Sequence, residues 1–268
     1  MTTQQYPRTW RRPPVLIPDP RWRWGLYLVA LVYLLAASSS LDVNWQRAYE
    51  GLDRGGRFAM GFLQPDFTTR WRDISIGLVE SLTMTLTSTI AGVLLAIPVG
   101  LGAARNISNG PIYLICRSFV AVSRSLQEII IAILFVAMVG FGPLAGFLTL
   151  TFATIGFMAK LLAEDIEEMD ERQAEAIRAT GASWLQLIHV GVMPQVMPRL
   201  IGLSLYRLDI NFRESAVIGI VGAGGIGATL NTSIDRYEYD SAGAVLIIII
   251  VIVMATEYLS GYVRKWVQ

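Results

Sequence analysis

Apolar positions in this chain run together in long blocks rather than alternating with polar ones. Trp24–Leu41 is 18 residues without a charge, Ser81–Ala104 is 24 and Ile129–Ala159 is 31, with Ser215–Ile234 and Ser241–Thr256 following. A membrane-spanning helix needs about 20 apolar residues, so the first two blocks predict one span each. The longest block would make a rod of about 46 Å at 1.5 Å per residue, too long for a hydrocarbon core of roughly 30 Å. Its centre reads Gly140-Phe-Gly-Pro143, a helix-breaking cluster, which predicts a hairpin with Arg124 and Lys160 at its two ends. A further span is expected after Pro198, carrying Arg207, Asp209, Arg213 and Glu214. The pattern therefore predicts an all-α polytopic membrane protein with spans over about 24–41, 79–104, 124–141, 143–162, 198–218 and 241–262.

Composition agrees. Only 16% of the 268 residues are charged, 53% are hydrophobic and the mean hydropathy is +0.49, whereas soluble domains carry roughly 25% charged residues. Met1–Arg23 is long and proline-rich, and Trp24–Leu41 exceeds a signal-peptide core, so this block reads as a first span. A net charge of +1 excludes binding to nucleic acid by bulk charge. One cysteine, Cys116, and one histidine, His189, exclude an intramolecular disulfide and Cys- or His-rich metal sites; both residues read as packing residues, and no metal is expected.

Arginine placement orients the spans. With the N-terminus inside, Met1–Arg23, Arg105–Arg124, Lys160–Arg199 and the tail place fourteen basic residues on the cytoplasmic side against six outside, as the positive-inside bias requires. Both termini are then cytoplasmic. The organisation expected is a cytoplasmic tail (1–23), a first span (24–41), an extracytoplasmic cap (42–78) whose arginines interleave with acids, and a core (79–268) with a large cytoplasmic loop (160–198). No internal repeat is visible, which weighs against transporters built from inverted repeats.

Two nucleotide motifs fail. Gly222-Ala-Gly-Gly-Ile-Gly227 fits G-x-G-x-x-G, but it follows a membrane span instead of a strand, so Gly222, Gly224, Gly225 and Gly227 read as close-packing or bending residues at the outer face. Neither lysine stands in a G-K-[ST] context, so there is no phosphate-binding loop. If nucleotide drives this protein, a partner hydrolyses it. No nucleophile–base pair is evident either, so no enzymatic activity is expected.

The 160–198 loop begins with an acidic run and continues Glu175-Ala-Ile-Arg-Ala-Thr-Gly181, then twelve residues to Pro194. Helical spacing of Ala174, Ile177 and Arg178, broken at Gly181 and resumed through Leu185, Ile188 and Val192, predicts two short helices meeting at a glycine turn and capped by Pro194. Within the fifth span, Arg207, Asn211 and Glu214 share one helical face, while Asp209 and Arg213 pair at i, i+4 on the other. Charges inside a membrane are costly and mark function by default, so Arg207, Asp209, Asn211, Arg213, Glu214 and Ser215 are the candidates for lining a pathway. Thr83, Thr85, Thr87 and Thr89 alternate and are expected to bond their own backbone.

The segment Glu175, Ala176, Gly181 and Pro194 between the fourth and fifth spans resembles the "EAA" coupling loop of ABC importer permeases, with Ile177 in place of a small residue and Gly191 in place of an aliphatic one. Arg178-Ala-Thr-Gly-Ala182, Pro194-Gln-Val-Met-Pro198, Ser204-Leu-Tyr-Arg207, Val221–Gly227 and Gly140–Gly146 are similar to the phosphonate-type (PhnE-like) group, over about Gly55 to the C-terminus. That resemblance implies a type I importer permease fold in the bacterial inner membrane. It implies a second permease subunit, identical or related, two ATP-binding subunits that hold ATP and Mg, and an extracytoplasmic substrate-binding protein. The expected cargo is a phosphorus oxyanion: phosphonate, phosphite, hypophosphite or phosphate. An ion-coupled secondary transporter using Asp209, Arg213 and Glu214 as a relay is the alternative.

Overall fold

The computed structural model describes residues 19–40 and 44–267. Most of the expected N-terminal tail, and the 41–43 junction between first span and cap, lie outside the described residues. The described chain is helical: α1 (Pro20–Ser39), α2 (Trp45–Leu63), α3 (Trp71–Ala103), α4 (Gly110–Ser125), α5 (Glu128–Val139), α6 (Pro143–Glu167), α7 (Glu171–Ala179), α8 (Trp184–Gln186), a π-helical turn (Leu187–Val192), α9 (Met193–Ile220), α10 (Gly225–Asp235) and α11 (Tyr239–Val267). Among the described residues five stretches are long and apolar enough to cross a membrane, or six if α4 and α5 count as one broken span.

Two compact units divide the chain, Met1–Gly55 and Gly56–Gln268. In the first, α1 is a 20-residue apolar helix with every residue exposed, and Pro20 opens it where no backbone donor is needed. Its Trp, Tyr, Leu and Val side chains have lipid as their natural surroundings.

The second unit is built on α3 and α6, which share the largest helix–helix interface. Small residues let them approach: a Cβ on Gly92 would lie 2.5 Å from Thr154 Cβ, and one on Gly100 2.9 Å from Leu162 Cδ2. Lipid tails are as apolar as leucine, so such packing, not exclusion of water, holds membrane helices together. One cluster joins Ala96, Met158, Leu162, Val192 and Leu200 at the end of the bundle bearing α7. A second joins Ile74, Ala216, Ile226 and Val245 at the opposite end.

Several boundaries differ from expectation. The second span starts at Trp71, eight residues early, because Arg70 pairs with Asp73 at 3.2 Å across its first turn and Asp73 sits where the helix dipole favours an acid. The 42–78 cap is largely the single helix α2, joined to α3 by a turn in which Asp66 accepts from the Thr68 amide and hydroxyl, each at 2.7 Å, and from the Thr69 amide at 3.2 Å. Those donors hold the Asp66 carboxyl well below the usual carboxylate range. Its contribution to the turn is therefore complete above about pH 4 and fades as pH falls toward the lowered value.

The third span is not the straight 124–141 rod expected. α4 starts at Gly110-Pro111 and meets the 12-residue α5 at a 97° bend. Arg124, expected at the end of the hairpin, stands in the last turn of α4, while Arg117 in the same helix bridges to Glu167 at 3.8 Å and lies 6.0 Å from the Tyr113 ring centroid. The Gly140–Gly142 turn is where the sequence placed it. The fifth span begins at Met193 instead of after Pro198, and Pro194 sits in its first turn; no helix ends there, since the preceding π turn runs directly into α9 and proline is tolerated where no donor is required. The polar stretch Asn231–Asp240 is half α10, which ends at Asp235, and its last two residues open α11.

Candidate functional site

Three groups of residues singled out above are brought to three depths of the second unit. At one end, α7 projects from the foot of α6. Asp170 caps it by accepting from the Arg172 amide at 3.1 Å, and Gly181, at φ +79°, turns the chain toward α8, a conformation that disfavours a Cβ. Only Ala174 of α7 is buried, facing Gly191 of the π turn. The two departures from the EAA pattern compensate: the Ile177 Cδ1 lies 3.0 Å from where a Gly191 Cβ would stand, so the larger side chain fills the space the smaller one leaves. Glu175, Ala176, Gly181 and Pro194 are exposed, beside a groove lined by Ile177, Thr180, Gly181, Ala182, Gln186 and Val190.

This end is held stiffly. Trp184 Nε1 donates to the Ile107 carbonyl at 3.1 Å and Arg178 to the Asn106 carbonyl at 3.3 Å. The foot of α6 is tied to the head of α9 by Arg199 and the buried Asp165 at 2.9 Å. The helix pair is thus bonded to the turn between α3 and α4, and it is continuous in the chain with α6 and α9, which are bridged to each other.

Midway along α9, Arg207, Asp209, Asn211 and Ser215 are buried, Glu214 is half-buried and Arg213 is half-exposed. Asn211 Nδ2 donates to Thr89 Oγ1 at 2.8 Å and Thr154 Oγ1 at 2.9 Å, and Arg207 Nε donates to Thr154 Oγ1 at 3.1 Å, so one polar network joins α3, α6 and α9. Glu214 shares the helical face of Arg207 but lies about two turns along it. The residue at ion-pair distance is Glu128 at the start of α5, 3.7 Å from Nη2, because the α4–α5 bend turns that carboxylate inward. Asp209 pairs with Arg213 as expected, and Thr256 of α11 donates to Asp209 at 3.3 Å, which directs this pair toward a neighbouring helix. Thr87 and Thr89 bond the carbonyls of Thr83 and Thr85, both at 2.6 Å, as anticipated, whereas the buried Thr85 hydroxyl makes no such bond. Ser215 donates to Phe212 O at 2.7 Å.

At the far end the glycine segment makes a turn over 221–224. Gly142 N donates to Gly222 O at 3.0 Å, so the 140–142 and 221–224 turns bond each other. The first amides of α10 find acceptors on α3, Gly225 N on Glu80 Oε2 at 3.1 Å and Ile226 N on Ser81 Oγ at 2.9 Å. A helix start leaves its amides without internal partners, and here another helix supplies them. Glu80, Ser81 and Thr154 escaped the sequence reading, since their roles depend on contacts more than fifty residues distant; Glu128, which spacing pairs with Arg124 at i, i+4 beside the hairpin mouth, reaches Arg207 instead. Cys116 packs with its Sγ against the Gly102 position, in keeping with a packing role, whereas His189, read the same way, is exposed on the π turn.

Comparison with known proteins identifies the architecture. Residues 96–268 match the family described as binding-protein-dependent transport system inner membrane component. The chain belongs to that family. Among its relatives, the "Phosphate-import permease protein PhnE" of Mycolicibacterium smegmatis is 39% identical over 244 residues, 91% of this chain and 46% of that protein; the chain spans about half the length of that relative. The "Phosphite transport system permease protein PtxC" of Stutzerimonas stutzeri is 36% identical over 90% of this chain and 86% of its own. Among solved structures, the permease chain matches an inward-facing MetNI methionine ABC transporter with a TM-score of 0.64 at 25% identity, covering 75% of this chain and 99% of that one. A bacterial alginate ABC transporter shares the fold, with a TM-score of 0.58 at 17% identity over 91% of this chain and 96% of that one. The fold is thus that of a type I ABC importer permease.

If the Asp209–Arg213 pair is only structural, exchanging its members keeps an ion pair across this turn of α9, with the arginine moved to the buried position. Asp209→Arg with Arg213→Asp is expected to retain uptake within about threefold of the parent, whereas either single change leaves a charge without its partner and costs far more. Uptake by the three variants, normalised to membrane content, measures this; a dead exchange variant in an assembled complex would place the positive charge itself in the pathway.

Proposed function

We propose that the chain is the translocation subunit of an ATP-driven importer for phosphorus oxyanions. The observation that carries this reading is the exposed α7–α8 elbow, fixed to both α6 and α9, in a chain whose relatives are named for phosphate and phosphite import. Such an elbow is suited to receive a rigid-body push from a nucleotide-hydrolysing partner and pass it to two spans at once. In this reading the permease works as a pair, identical or related, with two ATP-binding subunits that hold ATP and Mg and an extracytoplasmic binding protein that delivers the anion. It does no covalent chemistry itself. Arg207, Asn211, Glu214 and Ser215 line the path; Asp209 and Arg213 fasten its wall.

Uptake tests the reading. Cells lacking their own transporters for these anions, given this chain with its cognate ATPase and binding protein, should accumulate phosphite, methylphosphonate or phosphate. Uptake should stop when the ATPase cannot hydrolyse ATP. Uptake that survives the dead ATPase and follows an ion gradient would instead establish the secondary-transporter alternative.

Orientation follows from the same reading, with both termini and α7 in the cytoplasm. An impermeant maleimide added to intact cells should leave Cys116 unlabelled and should label a cysteine introduced at the exposed Gln64 in a Cys116→Ser background. Labelling of native Cys116 from outside, with Gln64→Cys silent, would invert the topology.

A further inference from the structure

The bend between α4 and α5 encloses a cavity of about 320 Å³ lined by Arg124, Gln127, Glu128, Phe157 and Arg207, together with Ser123 and its neighbours. That is many times the roughly 10–15 Å³ a single water requires. Its depth is telling. α4 rises from the α7 end for 16 residues, about 24 Å, and Arg207 is the fifteenth residue of α9, about 21 Å from the same end. Both arginines therefore stand near the middle of a membrane-sized bundle.

Arg207 is 3% exposed, and its Nη2 makes no hydrogen bond. Glu128 approaches it at 3.7 Å, near enough to offset charge but beyond hydrogen-bonding distance. Leaving a donor of a buried guanidinium without an acceptor is costly, and here that donor borders an open polar cavity. Arg124 completes a second cationic wall: its guanidinium lies 5.5 Å from the Phe157 ring centroid and that of Arg207 lies 5.2 Å from it. The start of α5, not capped by the side chain of Gln127, adds the partial positive end of a helix.

We infer that this elbow is an oxyanion station in the pathway. Arg207 and Arg124 hold a phosphorus oxyanion there, and Glu128 is the carboxylate the anion displaces from Arg207. The inference rests on the translocation reading above and deepens it. Displacement solves a general difficulty of conduction, since a site must attract an ion yet release it. Glu128 re-pairs with Arg207 as the anion leaves, and Glu214, farther along α9, keeps the empty station close to neutral.

The test measures binding and uptake with the same variants. The full chain in lipid nanodiscs is dialysed against radiolabelled inorganic phosphate, with phosphite, methylphosphonate and sulfate as competitors. Saturable binding is expected, displaced by phosphite or methylphosphonate. Arg124→Gln should weaken it about tenfold, as loss of one charge-assisted contact does, and Glu128→Gln should tighten it about threefold or more while slowing uptake, because the competing carboxylate is gone. Arg207→Gln should abolish it, and Glu128→Gln guards against misfolding there, since a damaged bundle does not bind more tightly. Binding unchanged or weakened by Glu128→Gln would overturn the station, as would absence of saturable binding by the parent chain. Oxyanion uptake that is normal in Arg124→Gln and Glu128→Gln would remove the station and leave the cargo reading standing. Failure of the parent to take up any of the three oxyanions would remove the cargo reading, and the station with it.

Discussion

Replacing Gly181 with aspartate is expected to leave the permease in the membrane and to stop transport. The position has φ +79° and nothing within 4 Å of where a Cβ would stand, so the cost is confined to the backbone. Left-handed geometry costs an L-residue about 1–2 kcal/mol, and Asp tolerates it better than most. The fold survives that. The new carboxylate, however, stands at the groove beside Thr180 and Gln186; if this face docks the ATPase as proposed, it introduces an unpaired charge into that contact. Uptake should fall at least tenfold, while purified complexes either lose the ATPase or hydrolyse ATP without transport. Glu175→Lys, on the same exposed face, should weaken docking in the same direction. Full uptake by both variants would remove the coupling assignment.

A larger loss of stability is expected from Gly227→Val. A Cβ there would lie 2.0 Å from the carbonyl oxygen of Ala216 and 2.8 Å from its carbonyl carbon, both on the backbone of α9. No rotamer change relieves a clash with backbone. α10 must lift from α9, and lifting it withdraws the Gly225 and Ile226 amides from Glu80 and Ser81. Overpacking alone costs about 1–3 kcal/mol, and two amides without acceptors add about 1–3 kcal/mol each. The variant should therefore vanish from membranes, or melt at least about 10 °C lower when recovered. Gly202→Ala, on the same helix α9 with open space at its Cβ, serves as the control and should be neutral. A Gly227→Val chain of normal abundance and melting temperature would show that α10 does not pack as described.

How much of this was readable beforehand depended on what each feature needed. The spans were legible because lipid demands long apolar runs, and Gly140–Pro143 was legible because glycine and proline break helices wherever they stand. The α7–α8 elbow was legible through Glu175, Ala176 and Gly181. The α4–α5 bend was not. Leu126-Gln127 contains neither glycine nor proline, and the arginines around it read as the end of a membrane segment. Arg117 is half-exposed and pairs with Glu167 at the foot of α6, and Arg124 lies over the Phe157 ring. Periodicity likewise put Arg207 and Glu214 on one face correctly, but it carries no information about a carboxylate on another helix. Pro194 and Pro198 misled for a related reason: proline predicts a missing donor, and the π turn upstream of α9 accommodates one without ending the helix.

The trade of volume between Ile177 and Gly191 has a practical bearing on hybrid transporters. A coupling elbow is a natural part to graft when a permease is to be driven by a foreign ATPase. In this chain the elbow's inner surface is keyed to the π turn that follows it, so a transplanted α7 with a small residue at 177 would leave a void over Gly191. An aliphatic residue brought in at 191 alone would strike Ile177. Grafts must therefore extend through Val192, carrying lock and key together, or they will rattle or jam before any question of partner choice arises.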